Sequence, residues 1–269
     1  MKKSIFVISL LVFIILPFST GIAFANWKIE FWDIQRKGAH GEGGTAKEGG
    51  ANPEDWFKSA YVAGLDFVRL CPVDWKGEGR DFLIGDADQY TSLPKKDISK
   101  LKNVLDIAHR HHIKVVLTMF SLPGARYRQD NNGQSDYRLW TDETFQKQTL
   151  QFWKDLASEL RSHPAIVGYN PLNEPYPSRK AGFEGGGKLD GFETWLHNNK
   201  GKTPDLNRFN QRIVDAIRLV DTKTPIILDC WFHSDPKGFR YLFPVNDKAT
   251  IYAFHYYGRW DFATYRINK

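Results

Sequence analysis

The chain has 269 residues, a formal net charge of +6, 42% hydrophobic side chains and 14% aromatic ones. That length and apolar content suit one large domain, and its two signs of charge are interspersed without a long basic block, which excludes an electrostatic nucleic-acid footprint. Cys71 and Cys230 lie at the ends of different predicted strands with nothing in their spacing to pair them, so both are expected as buried thiols.

Residues 1–25 open with Lys2 and Lys3, run apolar from Ile5 to Phe18 and close on Ala23-Phe24-Ala25, the layout of a secretory signal peptide. Pro17, Ser19, Thr20 and Gly21 interrupt the run before it reaches the roughly 20 apolar residues of a membrane span. The expectation is an exported protein, secreted or periplasmic, that meets the membrane only through this leader. Residues 26–269 then form one catalytic-sized domain.

Strands are predicted over Trp27 to Ile34, Asp66 to Pro72, Lys114 to Phe120, Ile166 to Tyr169, Pro225 to Asp229 and Ile251 to Tyr257, from short β-branched or aromatic runs. Helical periods lie between them. Their start signals are Asn52 before Pro53, Glu54 and Asp55, then Asp97, Asp142 and Asp205, each leading into spaced apolar residues; Gly64 is placed to end the first helix. Between the fifth and sixth strands the chain is broken by Pro and Gly and has room only for a short helix. The βαβα order implies an α/β fold with a parallel sheet buried on both faces. Periodicity alone leaves open a doubly wound sheet or a barrel.

The stretch from Ala165 to Pro177, AIVGYNPLNEPYP, breaks from a buried strand into Asn173, Glu174 and Pro175. In either architecture, residues just past the C-terminal strand ends gather at one face. Arg69 near the exit of the second strand, and His255 and Tyr257 at the end of the sixth, belong to that same face.

GYNPLNEP on the fourth strand, DFVRLCP on the second and AFHYY on the sixth resemble glycoside hydrolase family 5, the cellulase-like retaining glycosidases. The resemblance implies a (β/α)8 TIM-barrel type fold and a carbohydrate substrate, a β-glycan or glycoconjugate, with no cofactor and no metal. It implies Glu174 as the catalytic acid/base, Asn173 bonding the sugar 2-hydroxyl, Arg69 and Tyr257 orienting the nucleophilic carboxylate, and His255 lining the sugar site. Such hydrolysis needs two carboxyl groups about 5 Å apart, one protonated and one ionised.

Two departures from the family pattern carry expectations. Where the family commonly has a His after the third strand, VVLTMFSLPG places Phe120 or Ser121, so one polar contact is expected to be missing. The family nucleophile is a Glu after strand seven, yet no glutamate follows Glu193. The resemblance therefore implies an incomplete barrel of about six βα units, ending after the sixth strand, with strands seven and eight missing and the nucleophile absent. The alternative is a non-catalytic carbohydrate-binding remnant of such a barrel. Asp229 and Asp261 sit at the right rim to replace the nucleophile, but these and Asp235 and Asp247 are expected to be structural. Trp75, Trp140, Trp231 and Trp260, with Trp195, follow strands and are candidate sugar platforms. His109, His111 and His112 are expected to close a helix rather than bind a metal.

Overall fold

A computed structural model describes residues 26–44, 52–128, 131–183 and 189–258. The predicted leader lies outside them. Six strands, β1 (Gly38–Gly41), β2 (Phe67–Leu70), β3 (Lys114–Thr118), β4 (Ile166–Asn170), β5 (Ile226–Asp229) and β6 (Thr250–Ala253), form one sheet in the order of the chain. Every neighbouring pair is parallel. Strictly sequential order decides for the barrel type, because a doubly wound sheet reverses its strand order. Among the described residues β1 and β6 are not paired with each other, so the barrel stays open.

Helices α1 (Trp27–Glu30), α2 (Pro53–Val62), α3 (Lys95–Arg110), α4 (Glu143–Leu160), α5 (Phe192–Asn199) and α6 (Leu206–Arg218) accompany the sheet. Three predicted caps form. Asn52 accepts from the Asp55 N–H, Asp142 from Thr144 and Asp205 from Asn207, each satisfying a donor that has no partner within the helix. Gly64 follows α2 at φ +74°, where an L side chain is strained. Asp97 does not cap. Helix α3 starts at Lys95 behind Pro94, and the buried Asp97 carboxylate accepts from the Glu78 and Leu83 N–H groups at 2.9 and 3.0 Å, clamping the loop after β2. Helix α5 had no sequence signal, and it enters the core through Phe192.

The expected first strand at Trp27 to Ile34 is also corrected. That stretch is α1 and a turn, and the first strand lies further on, over Gly38–Gly41. Its aromatic residues serve packing rather than pairing: Trp32 Nε1 donates to the Val167 carbonyl at 3.0 Å, and the rings of Phe31, Trp32 and Phe67 meet edge to face. Gly38 is required where it stands, because a Cβ there would come within 2.3 Å of the Phe67 ring.

Alternation along the strands sorts the core into two layers. Outward residues such as Val68, Leu70, Val115, Leu117 and Leu228 pack under the helices around Phe152, Trp153 and Phe209. Inward residues Val116, Val167 and Ile227, with Phe67, Ile251 and Ala253, fill the concave side above Phe31 and Trp32. Register shifts once, between Val115 and Val116, opposite Gly168, whose missing side chain leaves room for Ile227 and Val116. The buried Lys28 ammonium on α1 donates to Thr224 Oγ1 and to the Arg161 carbonyl, both at 2.9 Å. Burial pushes it down to about 8, against the attraction of Asp221.

Both cysteines are buried free thiols, as expected. Burial and then the Asp229 charge push the Cys230 thiol up to about 12. His111 bonds Glu54 at 2.6 Å at the end of α3, a structural role. Among the described residues no helix is long and apolar enough to cross a membrane.

Candidate active site

The same alternation that fills the interior places His40, Arg69, Thr118, Asn170 and Asp229 on the concave side toward the C-terminal strand ends, with His40 opposite Arg69 and Thr118 opposite Asn170 in the register. His255 follows two residues beyond β6. Arg69 is the hub of this layer. Its Nη2 donates to Asn170 Oδ1 at 2.5 Å and to Asn173 Oδ1 at 2.8 Å, and lies 3.6 Å from Asp229. Asn170, fully buried, also accepts from the Thr118 hydroxyl and donates Nδ2 to the Ile227 carbonyl and to Asp229 Oδ1.

Glu174 sits above this layer in a left-handed backbone conformation, φ 47°. For a residue with a Cβ that costs roughly 1–2 kcal/mol, so its surroundings must hold it there. Three bonds do. The Glu174 N–H donates to Asp229 Oδ2 at 3.0 Å, and the Tyr127 hydroxyl is shared between the carbonyls of Asn173 and Glu174 at 2.7 and 2.8 Å. Burial, with the nearby charges of Glu174 and Asp229, pushes the Tyr127 phenol far up, which keeps it a donor. The Asn173 N–H donates to the Met119 carbonyl, and Pro175 fixes the exit of the turn.

The Glu174 carboxylate then faces two imidazoles. His255 Nδ1 lies 2.7 Å from Oε1, and His233 Nδ1 lies 3.9 Å from Oε2. The other nitrogen of His255 is 3.6 Å from Asp229. His233 reaches this position from a turn in which Phe232, His233 and Ser234 all have positive φ, and its ring packs on Tyr176 at 4.1 Å between centroids. Three consecutive left-handed residues beside the candidate acid concentrate backbone strain at the site.

The carboxylate opens into a cavity of about 890 Å³ lined by Phe120, Tyr127, Asn173, His233, His255 and Tyr257, among others. That volume is within the usual range of ligand clefts. The five residues named from the sequence thus gather at one end of the sheet: Asn173, Glu174, His255 and the half-exposed Tyr257 line the cavity, with Glu174 bonded to His255, and Arg69 holds Asn173 from beneath.

The tryptophan platforms fare differently. Trp75, Trp140 and Trp231 are 3%, 4% and 0% exposed, packed edge to face with Phe82, Phe209 and Phe192, so they are core residues without a face for sugar. Large indoles just after strand ends close the gap between sheet and helices. Trp195 stacks on Phe192 in the same cluster. Trp260 and Asp261 lie outside the described residues. Phe120, Tyr256 and Tyr257 supply the aromatic wall instead.

Asp229 is a strut. Its side chain is 1% exposed and its two oxygens already accept from Asn170 Nδ2 and the Glu174 N–H. Asp235 caps the short helix Pro236–Tyr241 through the Lys237 N–H, and Asp247 pairs with Arg218 at 2.7 Å, so both are structural. Sequence reasoning missed His40, His233, Asn170 and Tyr127. His40 was hidden by the misplaced first strand. Gly38-x-His40 alternation was the available signal.

A one-sided mouth of polar groups on a sequential parallel sheet defines a barrel of the β/α enzyme type, and comparison with known proteins gives its family. The family profile for cellulase (glycosyl hydrolase family 5) matches residues 34–267, and the chain belongs to that family. Among solved structures, the endoglucanase Cel5A of Pseudomonas stutzeri superposes with a TM-score of 0.54 at 23% identity, over 80% of this chain and 59% of that one. Endoglucanase Cel5A of Thermotoga maritima gives 0.58 at 17% identity, over 88% and 63%. At such identities these likenesses show the fold, and this chain spans about six-tenths of their length. A β-xylosidase of Phanerodontia chrysosporium is 34% identical over 88 residues, 31% of this chain and 18% of its own.

Proposed function

We propose that the chain is of the exported, retaining, β-glycan-cleaving glycoside hydrolase type, with Glu174 in the place of the acid/base and no nucleophilic glutamate among its 269 residues. The observation that carries the reading is the backbone of Glu174. It is held in a strained conformation by Asp229 and Tyr127 so that its carboxylate faces the cavity between His255 and His233. Strain of this kind persists where the surroundings over-determine a functional geometry.

In this reading Glu174 gives its proton to the glycosidic oxygen as the C1–O bond breaks, and later takes a proton from water. Asn173, fixed by Arg69, is placed beside it for the sugar 2-hydroxyl, and Tyr257 lines the approach from the opposite wall. The nucleophile is a separate matter. No glutamate follows Glu193 in the 269 residues, and both oxygens of Asp229 are engaged. This polypeptide is therefore expected to bind sugar without forming a glycosyl-enzyme intermediate.

An activated aryl β-cellobioside tests both parts. The chain alone should turn it over poorly, whereas added azide should attack C1 from the face a nucleophile would occupy, releasing the phenol and an α-glycosyl azide. Glu174→Gln should leave that rescued rate nearly unchanged for the activated phenol, which departs without a proton, and lower it by about 10²-fold or more for an unactivated alkyl or phenyl β-cellobioside, in line with the usual contribution of a general acid. Rescue of the unactivated substrate that Glu174→Gln leaves intact would remove Glu174 from its role. Release of β-configured sugar without azide, at rates of complete enzymes, would overturn the missing-nucleophile reading.

A further inference from the structure

Beside Arg69 in the sheet register stands His40 on β1, a residue the glycosidase reading above does not use. Its Nδ1 lies 3.3 Å from Arg69 Nη1. A guanidinium has donors and no acceptor, so Nδ1 must accept, and the single proton of the ring is then on Nε2. The imidazole stacks on Phe120, 5.6 Å between centroids with 18° between planes, which fixes the plane in which that donor can point. Phe120 is itself a wall of the cavity, and it stands where the sequence had led us to expect a lost polar contact.

Three charged or titratable groups act on the ring from different strands: Arg69 on β2, Glu174 after β4 and His255 after β6. His40 is exposed, beside Phe120 of the cavity wall. Even so, crowding that strips water from the ring, then Arg69 and His255, push the imidazole down to about 4, against the pull of Glu174. The ring is then neutral above about pH 5.

We propose that His40 is a sugar-recognition residue: locked by Arg69 into the Nε2–H tautomer and by Phe120 into one plane, it donates to a hydroxyl of the pyranoside bound beside Glu174. It restores from β1 the polar contact that Phe120 cannot make from β3. The assignment rests on the glycosidase reading of this cleft, and adds a residue that selects for a hydroxyl acceptor on that side of the ring. His40 holds no position in the proton transfer itself.

The test uses the full chain with ¹⁵N-labelled histidine, which gives eight imidazoles to assign. Long-range ¹⁵N–¹H spectra should show His40 as the Nε2–H tautomer and uncharged from pH 5 to 8, and Arg69→Met should abolish that preference. Titration with cellobiose and with xylobiose should shift the His40 Nε2 resonance saturably for at least one of the two. His40→Phe should weaken that binding about five- to tenfold, the loss of one neutral hydrogen bond. His40→Gln, which keeps an acceptor for Arg69 and a donor for sugar, should stay within about twofold, provided that urea midpoints show all variants folded. An Nδ1–H tautomer, or saturable binding that His40→Phe leaves unchanged, overturns the His40 assignment while leaving the cleft a sugar site. Failure of the folded wild-type chain to bind either disaccharide overturns the glycoside reading, and this assignment with it.

Discussion

Asp229→Asn isolates the strut beneath Glu174. In the native site one carboxylate oxygen accepts from the Asn170 amide and the other from the Glu174 N–H, at 3.0 Å each. An asparagine has one acceptor oxygen, so whichever way it turns, its NH₂ faces another buried donor. Leaving a buried donor unmet costs about 1–3 kcal/mol. Losing the charge opposite Arg69, whose side chain is 20% exposed, adds less than about 1 kcal/mol after screening. The sum, about 1–4 kcal/mol, can reach a large part of the 5–15 kcal/mol typical of a domain. With a urea m-value of about 3 kcal/mol/M, the unfolding midpoint should drop by roughly 0.3–1.3 M. The variant should also free the Glu174 backbone from its left-handed conformation, so cellobiose affinity should fall together with stability. A midpoint within about 0.3 M of wild type would refute the strut. Lost azide-independent turnover at unchanged stability would make Asp229 the nucleophile instead.

Gly38→Ala should destabilise by about 1–3 kcal/mol in the same urea assay, because its methyl would meet the Phe67 ring at 2.3 Å; a neutral result would mean that Phe67 moves freely. Asp97→Ala strips the acceptor from the Glu78 and Leu83 N–H groups and should cost about 2–4 kcal/mol, with faster amide exchange confined to the loop after β2. For Lys28 the sign follows from its lowered value. Between about 8 in the folded chain and 10.5 in the unfolded one, the unfolded chain binds more protons, so stability rises with pH at up to about 1.4 kcal/mol per unit. Lys28→Met should flatten that slope between pH 8 and 9.5, before the tyrosines titrate, and identical slopes would place the ammonium in water.

Much of the architecture was legible because its signals are local. Buried parallel strands read as apolar runs, which located β2 to β6, and Asn52, Asp142 and Asp205 cap helices by a bond reaching only two or three residues ahead. Where a residue's role is set by a distant partner, local reading failed. Trp27 to Ile34 carries strand-forming residues, yet Val167 and Phe67 draw its rings to the base of the barrel, and Gly38–Gly41 pairs despite its glycines. Asp97 has the look of a cap and serves a loop. At the site, Arg69, Asn173, Glu174 and His255 were visible as motifs, whereas Asn170, Tyr127 and His40 act through bonds spanning 29 to 101 residues of chain that no spacing announces. The tryptophans were judged by composition, and burial alone sorts them.

Strand β4 meets β5 through a single register pair, Tyr169 with Ile226, where other neighbouring pairs share four. Side chains complete the stitching: Asn170 to Ile227 and Asp229, Asp229 to the Glu174 backbone, and Tyr169 to Asp221. The fastening between the two portions of the sheet is thus made largely of the atoms that aim the candidate acid. Anything that loosens Glu174 also slackens the wall behind it, so in this molecule mechanical coherence and aim are inherited, or lost, together.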